Sequence, residues 1–181
     1  MILIVGLGNQ DKKYLKTRHN LGFQVIDEFA TKRGLKFSKK NTTLISRDEF
    51  YGKEIIIAKP LTFMNNSGKS VKSLITNYRI KITNIWVVHD DIDIPLGKIR
   101  IVKNRGAAGH KGVQSIINEI GTKDFVRFRI GICPKEKPKS VDRFVIQIFN
   151  KKEGEIIENG CQAIEIALIE GLEKAKQKYN Q

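Results

Sequence analysis

Two rhythms of apolar and polar positions alternate along this chain. Runs rich in branched aliphatic residues recur at Ile2 to Val5, Thr43 to Arg47, Glu54 to Ala58, Ile85 to Val88, Lys98 to Val102 and Val126 to Ile132, each of strand length. Between them, apolar residues return every three to four positions, the period of a helix with one buried face. One such stretch starts after Asn20, a good N-cap residue, turns Val25, Ile26, Phe29 and Ala30 inward and stops at Gly34. A second runs from about Ser67 to Tyr78 with Val71, Leu74, Ile75 and Tyr78 on its inner side. A third opens near Gly109 and buries Val113, Ile116, Ile117 and Ile120 before Gly121. The last, from about Lys152 to Lys178, carries a stripe of Ile156, Ile157, Gly160, Cys161, Ile164, Ala167, Leu168 and Leu172 that reads as core packing. The segment from Pro134 to Ser140 is polar, basic and broken by prolines, which predicts an exposed loop. Strands that alternate with helices predict an α/β fold: a single domain over residues 1–181, built as one mixed, twisted sheet with helices on both faces.

Composition narrows the class. No apolar run approaches the roughly 20 residues needed to span a bilayer, and the start Met1-Ile-Leu-Ile-Val5 reads as a first strand, not a signal peptide, so a cytoplasmic protein is expected. Cys133 and Cys161 are far apart and in no C-x-x-C pairing, which argues against a zinc site or redox motif. The chain carries 33 Lys and Arg against 19 Asp and Glu, a net charge of +14 that points to an anionic partner such as a polyphosphate chain. A Lys-rich proteome would give the same total, but the distribution is uneven. Residues 98–143 hold twelve basic and four acidic residues, whereas residues 151–181 hold five and six, as if the charge marked one binding face.

Candidate chemistry collects in four loops that follow strands, where an open α/β sheet gathers its ligand crevice. They are Gly6-Leu-Gly-Asn9 leading to Thr17-Arg-His-Asn20, Lys59 to Gly68, His89-Asp-Asp-Ile-Asp-Ile-Pro95, and Gly106-Ala-Ala-Gly-His-Lys-Gly112. All three histidines lie at or beside these loops. The first is not a dinucleotide fingerprint, because G-x-G-x-x-G requires glycine where Asp11 stands. His19, at the start of a helix, is either a turn or capping residue or a general base; as a base it needs a carboxylate to fix its tautomer, and Asp90, Asp91 and Asp93 offer three. The same acidic run is open to a metal-ligand or solvent-facing reading. No G-x-S-x-G elbow is present and neither cysteine lies in these loops, so water activated by a base is the remaining route to hydrolysis.

Taken together and in order, these segments resemble the bacterial peptidyl-tRNA hydrolase family from Ile4 to about Ile132, with the family's length and C-terminal helix. The resemblance implies cleavage of the ester between peptide and tRNA without metal or cofactor, by a monomer that holds the acceptor stem and CCA end. It implies His19 as general base and Asp90 as its orienting partner. Asn9, Tyr14, Phe63 and Asn65 become substrate-binding positions, with Asn9 distinguishing a blocked peptidyl end and the Asn65 amide suited to the ester carbonyl or attacking water. Arg129, with Lys103, would contact tRNA phosphate. A non-catalytic, RNA-binding relative acting in splicing is the alternative.

The departures are specific. The family's Gly-Asn-Pro-Gly is Gly-Asn-Gln-Asp here, and its Gly-Gly-His-Asn-Gly is Ala108-Gly-His-Lys-Gly112. Lys111 therefore replaces an amide that helps to place substrate and water, and it supplies donors but no acceptor. Val102 stands where a phosphate-gripping lysine commonly falls, beside Lys103, and Asn104 and Arg105 replace two glycines. Altered substrate placement, not loss of activity, is expected.

Overall fold

The computed structural model describes residues 1–149 and 153–181. Among them, seven strands form one sheet: β1 (Ile2–Gly6), β2 (Ser38–Lys40), β3 (Thr43–Phe50), β4 (Lys53–Pro60), β5 (Ile85–Pro95), β6 (Ile99–Lys103) and β7 (Val126–Cys133). The helices are α1 (Leu21–Lys32), α2 (Ser67–Tyr78), α3 (Lys111–Ile120), α4 (Val141–Val145), α5 (Glu153–Ile169) and α6 (Leu172–Tyr179). Across the sheet the order is β2, β3, β4, β1, β5, β7, β6. β1 pairs in parallel with both β4 and β5, and β5 with β7, while β2, β3 and β6 join antiparallel.

The central strands are apolar on both sides because both sides are covered. Ile4, Ile55, Ile57, Trp86, Val88 and Phe128 face α1, α5 and α6, meeting Val25, Ile26, Phe29, Ile164 and Leu168. Leu3, Val5, Ile56, Ala58, Ile85 and Val87 face α2 and α3, meeting Val71, Leu74, Val113 and Ile116. The expected mixed sheet with helices on both faces is therefore present. No helix among the described residues is long and apolar enough to cross a membrane.

Three local expectations change. The expected last helix is two helices: Gly171 has φ of 96°, a left-handed conformation that ends α5 and starts α6 at a new angle. Its expected start at Lys152 lies outside the described residues. β2 is not legible in the sequence, since Ser38, Lys39 and Lys40 are all exposed and show no apolar alternation. His89 and the acids after it sit within β5, not in a loop beyond it.

At the opposite edge of the sheet, the C-terminal end of α6 closes β6. Asn180 Oδ1 accepts from the Ile101 N–H at 2.7 Å and its Nδ2 donates to the Ile101 carbonyl at 2.9 Å. One amide side chain thus supplies, at Ile101, the pairing that a further strand would give there.

Candidate active site

The order in which strands are added to the sheet reverses about β1. The chain leaves β1 for the β2, β3 and β4 side of the sheet and returns to β5 on the other side, so a crevice opens at the carboxyl ends of β1 and β5. The start of α1 is drawn tightly into that crevice. A Cβ on Gly22 would lie 2.3 Å from the Val88 carbonyl oxygen and 2.5 Å from Leu7 N, so only glycine lets α1 start this close to the strand ends. Asn20 stands at the start of α1 but makes no side-chain cap. Its amide instead accepts from the Asn9 N–H at 2.9 Å and donates to the Asn9 carbonyl at 2.8 Å, clasping the loop after β1 to the turn before α1.

That turn, Arg18 to Asn20, delivers His19 to Asp90. His19 Nδ1 lies 3.0 Å from Asp90 Oδ2 and 3.1 Å from Oδ1, across seventy-one positions of sequence. The carboxylate is buried, 2% exposed, and the imidazole 12%. With Nδ1–H donating to Asp90, Nε2 is the basic nitrogen.

A second imidazole shares the carboxylate. His110, at the N-cap of α3, accepts from the Val113 N–H through Nδ1 at 3.3 Å, so its proton sits on Nε2, which faces Asp90 Oδ1 at 3.2 Å. The His19 and His110 rings are 4.9 Å apart, and the fully buried His89 meets His110 edge-on at 4.6 Å. His89 Nδ1 donates to the Asp90 carbonyl at 2.7 Å. The sequence places His110 in a candidate loop without assigning it a role; its position at a helix start, in the Gly-rich segment, is the available signal.

Electrostatics follow from this packing. Burial alone lowers the His19 pKa, but the Asp90 carboxylate, through charge and hydrogen bonding, outweighs it and raises the imidazole above its ordinary value. Burial likewise pushes the Asp90 carboxyl up, and the two histidines more than reverse this, holding it far below the usual carboxylate range. Burial, reinforced by His110 and Arg127, keeps His89 neutral. Ligand atoms of His19, Asp90 and His110 lie within 4.8 Å of one another and could hold a metal ion, although His19 Nδ1 and His110 Nε2 already face the Asp90 carboxylate.

A cavity of about 560 Å³ opens on this group, with Ile92, Val141 and Val145 among its apolar walls. Two ion pairs border it: Lys111 with Asp142 at 2.8 Å, joining α3 to α4, and Lys137 with Asp93 at 2.5 Å. Lys137 lies in the segment expected as an exposed loop, which it is. Asp91 takes the Arg129 Nε–H at 2.7 Å.

Compared with known proteins, residues 3–181 match the sequence model of a family described as peptidyl-tRNA hydrolase. The chain belongs to the peptidyl-tRNA hydrolase family. It is 46% identical to the peptidyl-tRNA hydrolase of Thermodesulfovibrio yellowstonii, covering 99% of each chain, and 41% identical to a chloroplastic one of Arabidopsis thaliana, covering 98% of this chain and 64% of that one. The crystal structure of peptidyl-tRNA hydrolase from Acinetobacter baumannii superposes with a TM-score of 0.87 at 30% identity, over 99% of this chain and 93% of the other.

The remaining positions expected from the peptidyl-tRNA hydrolase resemblance fall into three places. Asn9, Tyr14, Phe63 and Asn65 lie outside the cavity lining. Asn9 is buried and its Oδ1 accepts from the Met64 N–H at 2.9 Å, which holds the turn bearing Phe63 and Asn65 beside the β1 loop. Phe63 is 60% exposed, Asn65 is exposed and Tyr14 half-buried. Lys111 borders the cavity. Lys103 and Arg129 are not brought together: opposite residues on β6 and β7 are Lys103 with Val126 and Arg100 with Arg129, so the two basic side chains leave opposite faces of the ribbon. Lys103 instead pairs with Asp124 at 3.2 Å.

Proposed function

We propose that this protein hydrolyses the ester that joins a peptide to tRNA, with His19 as general base. The observation that carries the assignment is the 3.0 Å contact between His19 and the buried Asp90, at the wall of a cavity and beside the basic segment of the chain. His19 Nε2 takes a proton from water as its oxygen attacks the ester carbonyl, and Asp90 stabilises the imidazolium that forms. The tetrahedral intermediate then collapses, the bond to the ribose oxygen breaks, and the imidazolium returns its proton to that oxygen, leaving free tRNA and a peptide carboxylic acid that releases its own proton to solvent. Such a base contributes roughly 10²–10⁴-fold to the rate.

The Asn65 amide, on an exposed turn, is suited to hold the ester carbonyl or the water. Asn9 fixes that turn through Oδ1, and its amide nitrogen makes no hydrogen bond among the described residues, consistent with reading a blocked peptidyl end. Tyr14 and Phe63 offer aromatic surface to the CCA end, and Lys103 and Arg129 meet separate phosphates of the acceptor stem, each from its own face of the β6 and β7 ribbon. We place the protein in the cytoplasm as a monomeric single domain. The direct test is turnover of N-blocked against unblocked aminoacyl-tRNA. His19→Ala should remove nearly all cleavage of the blocked substrate while RNA affinity persists, and a chelator should leave wild-type turnover unchanged. Retained cleavage in His19→Ala would refute the assignment.

A further inference from the structure

Arg18 immediately precedes His19, yet its side chain turns away from the carboxylate. Its Nη1 lies 3.5 Å from the Phe144 carbonyl oxygen, 3.4 Å from that of Gln147 and 3.3 Å from that of Ile148. These carbonyls belong to the C-terminal end of α4 and the turn after it, where a helix leaves acceptors unsatisfied and favours a cation. The guanidinium also stacks on the Phe144 ring at 4.1 Å. The backbone repeats the link: Arg18 N–H donates to the Gln147 carbonyl at 3.2 Å, and Phe149 N–H to the Lys16 carbonyl at 2.9 Å. Residues 126 to 130 positions apart are thus tied at one side chain.

The far end of this tie matters for the site. α4 supplies Val141, Asp142 and Val145 to the cavity on which His19 opens. It has only five residues, too few to be stable alone, so its place depends on what holds its ends. Its N-terminal part is held by the Lys111 pair with Asp142, both exposed, and its C-terminal part by Arg18.

We propose that Arg18 is a positioning residue that sets the α4 wall of the cavity relative to the general base, so that it governs how substrate is held and not how water is activated. The proposal rests on the hydrolase reading. A planar guanidinium that lies on the Phe144 ring while one nitrogen, Nη1, reaches three carbonyls is not replaced by an ammonium, which cannot stack.

The test compares wild type with Arg18→Met, Arg18→Lys and Phe144→Leu on N-blocked aminoacyl-tRNA, measuring kcat, KM and the pH profile of kcat/KM. Wild-type turnover tests the hydrolase reading; the ratios of variant to wild type test Arg18. Losing a charged group's hydrogen bonds predicts a KM higher by about 10-fold in Arg18→Met, with kcat within about threefold. Arg18→Lys should recover less than about half of that loss, and Phe144→Leu, which keeps the carbonyl contacts of Nη1 but removes the ring, should raise KM by about threefold. The acid limb of the profile should stay in place. An unchanged KM, a loss confined to kcat, or a displaced acid limb would each overturn the proposal; should Arg18→Met not fold, the lysine and Phe144 variants decide between the same outcomes.

Discussion

His110 reaches Asp90 from the start of α3, placing its Nε2 3.2 Å from the oxygen that His19 also approaches. Asp90 therefore remains anionic without drawing on His19 alone, and if His19 is the base, as proposed, its imidazolium would be met by a carboxylate already fixed in place. A hydrogen bond to a charged group contributes about 1.5–3 kcal/mol, so His110→Ala should lower kcat/KM by roughly 10–100-fold while His19 remains the base. Steady-state kinetics on a blocked aminoacyl-tRNA decide it; a loss under about threefold would make His110 a bystander.

The pH dependence has a definite sign. As the proposed base, His19 must be neutral to accept a proton, and its pKa is raised, so the competent fraction should fall as pH drops through a value above about 6.5. Removing the Asp90 charge leaves burial and Lys111, which lower the His19 pKa, opposed only by the smaller influence of Asp142, which raises it. Asp90→Asn should move the acid limb of kcat/KM to lower pH and cut kcat by about 10²–10⁴-fold, since an amide can also present the wrong partner to Nδ1. A limb that stays put would remove Asp90 from the assignment.

Lys111 acts on the same titration in the opposite sense from Asp142: its charge lowers the His19 pKa and that of Asp142 raises it. Lys111→Asn removes one influence, leaves the other, and breaks the exposed pair that joins α3 to α4. The acid limb should shift upward and KM should change. Kinetics identical to wild type across pH would show that this departure from the family pattern has no effect on substrate placement.

Arg127 is 1% exposed, and no described residue accepts a hydrogen bond from any of its three guanidinium nitrogens. Burial, together with the charges of Arg129 and Arg105, outweighs the charge of Asp91 and lowers its pKa to about 10. A buried charge without a close partner is costly, so Arg127→Met should stabilise the protein by about 1–4 kcal/mol, read from the denaturant midpoint. Loss of stability would mean that the guanidinium is compensated in solution.

Much of the architecture is legible in the sequence because the central strands and the inner helix faces bury their apolar residues with regular period. Leu3 and Val5 face one layer and Ile4 the other, as alternation along β1 demands. The convergence of His19 and Asp90 is legible as motif order plus topology, not as distance. The features that escape are set by contacts that leave no periodic mark. β2 buries nothing, α4 is too short for a period, and the bend at Gly171 depends on one dihedral angle. Asn20 looks like a cap because of its type and place, but its amide is spent on Asn9. The charge count misleads in one respect: it treats residues 98–143 as a surface, whereas Arg127 is buried and Arg129 is paired with Asp91.

The amide of Asn180 that covers Ile101 bears on how copies of this molecule coexist. β6 is an outermost strand, and its hydrogen-bonding groups would otherwise present a template onto which another chain could add. The end of α6, far in sequence from His19 and Asp90, thus withholds the outward hydrogen-bonding groups of Ile101 from such an addition.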